Sequence, residues 1–130
     1  MNAQLWFYKG AGNLFDKLIR WFTSGTYSHV EIVVSGMAIS ADAWSGVVRC
    51  TPVAAFHKEN WDTVEVALTK DMDFINLQLG KKYDWLGILG FFLPGKLQNS
   101  NRWYCSEFCA AAIGIWKRPI SPQQLYEMLT

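Results

Sequence analysis

Two residues in this sequence are placed to share a proton. Cys105 begins the run Cys105-Ser106-Glu107-Phe108-Cys109-Ala110-Ala111-Ala112-Ile113-Gly114, a small-residue helix closed by a glycine and preceded by the lead-in Arg102-Trp103-Tyr104. A thiol at a helix start meets unpaired backbone N–H groups and the positive end of the helix dipole, both of which favour thiolate over thiol. The ordinary fate of a free cysteine is burial in the core. What sets Cys105 apart is the stretch Tyr27-Ser28-His29-Val30-Glu31-Ile32-Val33-Val34, which places His29 on a strand. A helix-borne cysteine, a strand-borne histidine and a polar third group make up a thiol hydrolase or acyltransferase. The histidine takes or shares the thiol proton, and the third group fixes its tautomer and holds its charged form. The backbone N–H of Cys105 or Ser106 would form the oxyanion hole, with the phenol of Tyr27 or Tyr104 as a further donor.

The third group follows from a hairpin. Val34 and Met37 flank Ser35-Gly36, and a tight turn there pairs 34 with 37, 33 with 38 and onward. Gly36 suits such a turn, whereas Ser35 must tolerate positive φ. That register sets His29 opposite Asp42, with Ser40 diagonal on the same face and within reach. A carboxylate stabilises imidazolium while a hydroxyl can only orient it, so Asp42 is expected ahead of Ser40. Glu31 shares the face but lies along the strand, and is the weaker candidate. A slip of one residue would send Asp42 to the other face.

Ser28-His29-Val30-Glu31-Ile32, followed much later by Tyr104-Cys105-Ser106-Glu107, resembles the circularly permuted branch of the NlpC-type, papain-like cysteine hydrolases. Gly80-Lys81-Lys82-Tyr83-Asp84 resembles the segment that leads towards the cysteine helix in that branch. The resemblance implies a permuted papain-like fold, Cys105 as nucleophile and His29 as base. It also implies hydrolysis of amide bonds in cell-wall peptides or γ-glutamyl linkages. Relatives include lipid acyltransferases, so lipid-ester or thioester chemistry is the alternative activity. A non-catalytic phage accessory protein on the same fold is the alternative of another class. The small size suits a phage or prophage origin, in the host cytoplasm or a virion.

With 130 residues, 51% of them hydrophobic, the chain suits one domain over residues 1–130. The fold class expected is α+β, a small antiparallel sheet packed against helices. In order, the reading gives an edge strand near Gln4 to Lys9, a helix from Leu14 to Phe22, and the hairpin. A strand over Gly46 to Cys50, a strand over Thr63 to Leu68 and a helix from Met72 to Leu79 follow. The cysteine helix and a final helix from Gln123 to Leu129 complete it. A net charge of +1 gives no electrostatic footprint for nucleic acid. Three cysteines without framework spacing suit reduced thiols, and no Cys/His pattern suggests a metal or other cofactor. His57 reads as a surface histidine and Cys109 as core. No signal peptide or membrane-spanning run is visible, so the expected location is cytoplasmic. Leu86, Ile88, Phe91 and Phe92 stand in the most apolar segment and offer a lipid or membrane contact. Seven Trp are many for this size. Trp44, Trp61, Trp85, Trp103 and Trp116 would close the core or wall a substrate groove beside Cys105.

Overall fold

A computed structural model describes residues 2–10, 25–42, 46–69, 72–81, 105–115 and 120–130. The expected helix over Leu14 to Phe22 and the apolar segment with Leu86, Ile88, Phe91 and Phe92 lie outside the described residues, as do Trp44, Trp85, Trp103, Tyr104 and Trp116.

The chain forms strands β1 (Asn2–Tyr8), β2 (His29–Val34), β3 (Met37–Asp42), β4 (Val47–Pro52) and β5 (Trp61–Ala67). Helices α1 (Met72–Gln78), α2 (Cys105–Ala112) and α3 (Pro122–Leu129) follow. Short 3-10 turns at Val53–Ala55 and Lys58–Asn60 join β4 to β5. The strands make a single antiparallel sheet in the order β4-β3-β2-β1-β5. The class is therefore mixed α and β. Among the described residues no helix is long and apolar enough to cross a membrane.

The opening strand is not at an edge. β1 pairs with β2 on one side and β5 on the other. The reason is in Leu5-Trp6-Phe7, an unbroken apolar run whose residues are buried on both faces of the sheet. Such runs mark central strands, whereas a half-solvated strand alternates. β5, at one edge, does alternate in burial.

Leu5, Phe7, Val30, Ile32, Ile39, Ala41 and Val48 pack in one core with α2 and with Ile120 and Leu125. All eight residues of α2 are buried. Cys105, Ser106, Cys109 and three alanines give that helix a thin profile, so its backbone lies close to the sheet and needs no polar face. On the opposite side Trp6, Val33 and Ala38 gather Val53, Phe56 and Trp61.

Ser35 (φ 51) and Gly36 (φ 79) are both left-handed, as a type I′ turn demands. Val34 meets Met37 as the sequence register requires. Ser121 caps α3 with a reciprocal capping box, and Pro122 takes the first turn. Gly114 (φ 89) turns the chain out of α2 beside Thr69, whose backbone N–H donates to the Ala112 carbonyl at 3.0 Å. A Cβ at Gly114 would stand 2.8 Å from Thr69 Oγ1. Gly114→Ala is therefore expected to cost at least about 1–2 kcal/mol in urea denaturation, from the left-handed backbone alone. An unchanged midpoint would mean that the turn relaxes freely.

Candidate active site

The site forms where two elements begin. His29 opens β2 and Cys105 opens α2, and the packing of α2 against β2 and β3 brings the two side chains together. The thiol lies close enough to the imidazole to help hold the proton on His29, through its charge and through hydrogen bonding. Cys105 is the first described residue of α2, next to the N–H of Ser106. The amides of Cys105 and Ser106 are the candidate oxyanion donors. Cys105 is almost fully buried, but the tightly surrounded imidazole keeps 20% of its side-chain surface. Solvent therefore reaches the pair on the His29 side.

The second ring nitrogen belongs to Glu31. His29 Nε2 donates to Glu31 Oε2, leaving Nδ1 for the thiol. Glu31 has no exposed surface, and Arg49 holds it in a two-pronged fork: Nη1 to Oε1 at 2.9 Å and Nη2 to Oε2 at 3.0 Å. Planar pairing of this kind is among the strongest a carboxylate makes. Burial works against the charged imidazole, yet the charge at Cys105, then that at Glu31, and hydrogen bonds to both hold His29 well above its ordinary 6.5.

Ser40 stands between these partners. Its register partner across β3 and β4 is Arg49, and Glu31 follows on the same row. The β2–β3 register partners run only from Val34↔Met37 to Ile32↔Ile39. In a continued ladder Val30 and Ala41 would exchange hydrogen bonds. Instead Ser40 Oγ donates to the Val30 carbonyl at 2.8 Å, and Cys109 Sγ approaches the same oxygen at 3.7 Å. The strands part where the site begins, and two side chains from β3 and α2 fill the slot. Burial, then the charges at Cys105 and Glu31, push the Cys109 thiol well above its ordinary range, with the nearby Ser40 hydroxyl opposing. Cys109 is therefore a neutral thiol beside Cys105.

The structure brings Cys105 and His29 together and gives His29 the carboxylate of Glu31, the residue ranked lowest from sequence. Direct opposition across strands favours Asp42, but Glu31 reaches back along its own strand to Nε2. The His29–Asp42 opposition requires pairing that stops three residues short on β2; the Asp42 side chain lies outside the described residues. Ser40 gives its proton to a backbone carbonyl. Arg49 is the functional candidate that the sequence reading misses. Its signal was available, because extending the hairpin arithmetic through β4 sets Arg49, Ser40 and Glu31 in line.

The substrate-contact candidates fare differently. Ser106 is buried and its hydroxyl donates to the Ile120 carbonyl, so it ties α2 to the lead-in of α3. Tyr27 is also buried, and its hydroxyl donates to Asp62 Oδ2 at 2.5 Å. Burial, then Asp62 and Tyr126, raise that phenol's hold on its proton. Both hydroxyls already serve the fold. Trp61 does lie beside the site: its ring is edge-on to His29 at 6.3 Å and stacked on Phe56 at 4.8 Å. His57 is exposed, as its charged context suggests. All three cysteines are free, and among the described residues no cluster of three or more His, Cys, Asp or Glu is arranged to hold a metal ion.

No protein-family model matches the chain, and no curated protein matches it. The chemistry is read from the geometry alone.

The elevated His29 titration has a defined consequence for stability. A folded value above the unfolded one means that the native state holds this proton more tightly. The resulting stability is fully present below about pH 6.5 and is lost as pH rises through the higher folded value. The stability gap between wild type and His29→Gln should be widest near about pH 5.5 and narrow above neutrality. Urea denaturation across that range checks it, and a gap independent of pH would contradict the assignment.

Proposed function

We propose that the chain is a thiol hydrolase of amide bonds, with Cys105 as nucleophile, His29 as acid and base, and Glu31 as the group that orients the imidazole. The observation that carries this is the run of interacting side chains from Cys105 to His29 and, by hydrogen bond, to Glu31. A lone buried cysteine has no need of such a run. The helix start, the strand histidine and the antiparallel sheet beneath α2 are also what a permuted, NlpC-type papain-like fold would supply. By that likeness the substrate class is a cell-wall peptide or a γ-glutamyl-type amide. Free thiols suit a reducing compartment such as a cytoplasm.

In the reaction, the Cys105 thiolate attacks the substrate carbonyl carbon while backbone N–H groups at the start of α2 receive the developing oxyanion. Collapse of the tetrahedral species breaks the C–N bond as imidazolium passes the proton from Nδ1 to the departing nitrogen. The thioester remains. His29 then removes a proton from water, hydroxide adds to the thioester carbonyl, and the acid leaves with regeneration of the Cys105 thiolate and the imidazolium. Glu31 stays ionised throughout and keeps Nε2 protonated.

Iodoacetamide labelling mapped by mass spectrometry tests the dyad, with exposed Cys50 as the internal standard. Cys105 should be modified at about pH 6, where an ordinary thiol such as Cys50 is nearly inert, and should lose that advantage in His29→Ala. On a panel of γ-glutamyl and cell-wall peptide amides, Cys105→Ala should abolish turnover. His29→Ala should lower kcat/KM by about 10²–10⁴-fold. A Cys105 that labels no faster than Cys50 would remove the basis of the proposal.

A further inference from the structure

We propose that Arg49 is a positioning residue for the Cys105–His29 pair: its fork on Glu31 keeps that carboxylate ionised, so that the imidazole proton serves the thiol and the leaving group. The inference rests on the hydrolase reading above and adds to it a residue from the edge of the sheet.

Glu31 has no exposed surface, and a carboxylate withdrawn from water takes up a proton unless fixed positive charge opposes it. Two cations face it, and they differ in kind. His29 can release its proton, whereas the Arg49 guanidinium cannot do so at any working pH. If His29 were the sole partner, the proton on Nε2 could cross the short contact to Glu31 and leave a neutral acid beside a neutral ring. The thiolate would then lose its counter-ion. With Arg49 in place, Glu31 Oε2 accepts from both Nε2 and Nη2, and Oε1 accepts from Nη1. The plane of the carboxylate is fixed by the fork.

The neighbouring groups leave this assignment to Arg49. Cys105 and Cys109 face the pair from α2, and Cys109 is held neutral. From β1, Tyr8 is the register partner of His29, and from β5 comes the uncharged ring of Trp61. From β3 comes the hydroxyl of Ser40, which is turned to Val30. Among the described side chains in hydrogen-bond contact with Glu31, Arg49 carries the one permanent positive charge. It comes from β4, two strands away from His29, and retains a quarter of its own surface.

The test follows the two histidine ring signals by NMR titration in the full chain, with exposed His57 as control, and measures Cys105 alkylation at about pH 6.5 in the same variants. Arg49→Met should lower the His29 midpoint by about one pH unit or more and slow alkylation by about tenfold. Arg49→Lys keeps the charge without the fork, so the midpoint should stay near wild type while alkylation slows severalfold. Glu31→Gln combined with Arg49→Met removes the competing base, and should recover part of the alkylation lost in Arg49→Met alone. A merely structural role would make the double variant worse. Arg49→Met with an unchanged His29 midpoint and alkylation within about twofold of wild type overturns the proposal, as does a double variant no better than the single one. Should Arg49→Met fail to fold, wild-type alkylation in Arg49→Lys overturns the role of the fork. Failure of the hydrolase reading would show separately, as absence of wild-type turnover, because neither readout here needs a substrate.

Discussion

Glu31 has lost all contact with water, and an ionised carboxylate in that state costs several kcal/mol unless its oxygens are occupied. Both are occupied, by groups from different strands. His29 arrives from the same strand and Arg49 from β4, so the interaction forms only when β2, β3 and β4 are assembled in register. The imidazole orientation depends on the carboxylate, and its interaction with Cys105 depends on that orientation. A Cys105–His29 pair that looks local to two elements thus requires three of the five strands of the sheet.

The helix meets an equally narrow condition. α2 is buried along its whole length and brings a thiol, a hydroxyl and small side chains to the sheet. Small residues let it come close, and the parting of β2 from β3 lets Cys109 and Ser40 approach the Val30 carbonyl. A continued ladder would have used that carbonyl. The departure from regular pairing therefore falls where the helix docks, and side-chain hydrogen bonds replace what the backbone gives up.

Much of this was legible in the residues. The Ser35-Gly36 turn set the hairpin register, the glycine and capping signals marked the starts or ends of helices, and the helix-start argument picked out Cys105. The misreadings share a cause. Sequence arithmetic treats a ladder as continuing until a breaker appears, and none stands between His29 and Ile32, yet the β2–β3 pairing ends at Ile32 and Ile39. Likewise, the reading of β1 as an edge strand passes over the unbroken apolar run Leu5-Trp6-Phe7, buried on both faces. Glu31 was visible but ranked by Cβ spacing, which ignores how far a glutamate reaches. Arg49 lay in a strand read only for its apolar residues.

In the proposed catalytic state the side chains alternate in charge, negative at Cys105, positive at His29, negative at Glu31 and positive at Arg49, and the sum is zero. With a chain net charge of only +1, such a centre projects little field beyond a Debye length. Encounter with substrate would then be nearly indifferent to ionic strength. Selection among substrates would be left to short-range fit against neighbours such as the Trp61 and Phe56 rings, and not to long-range attraction.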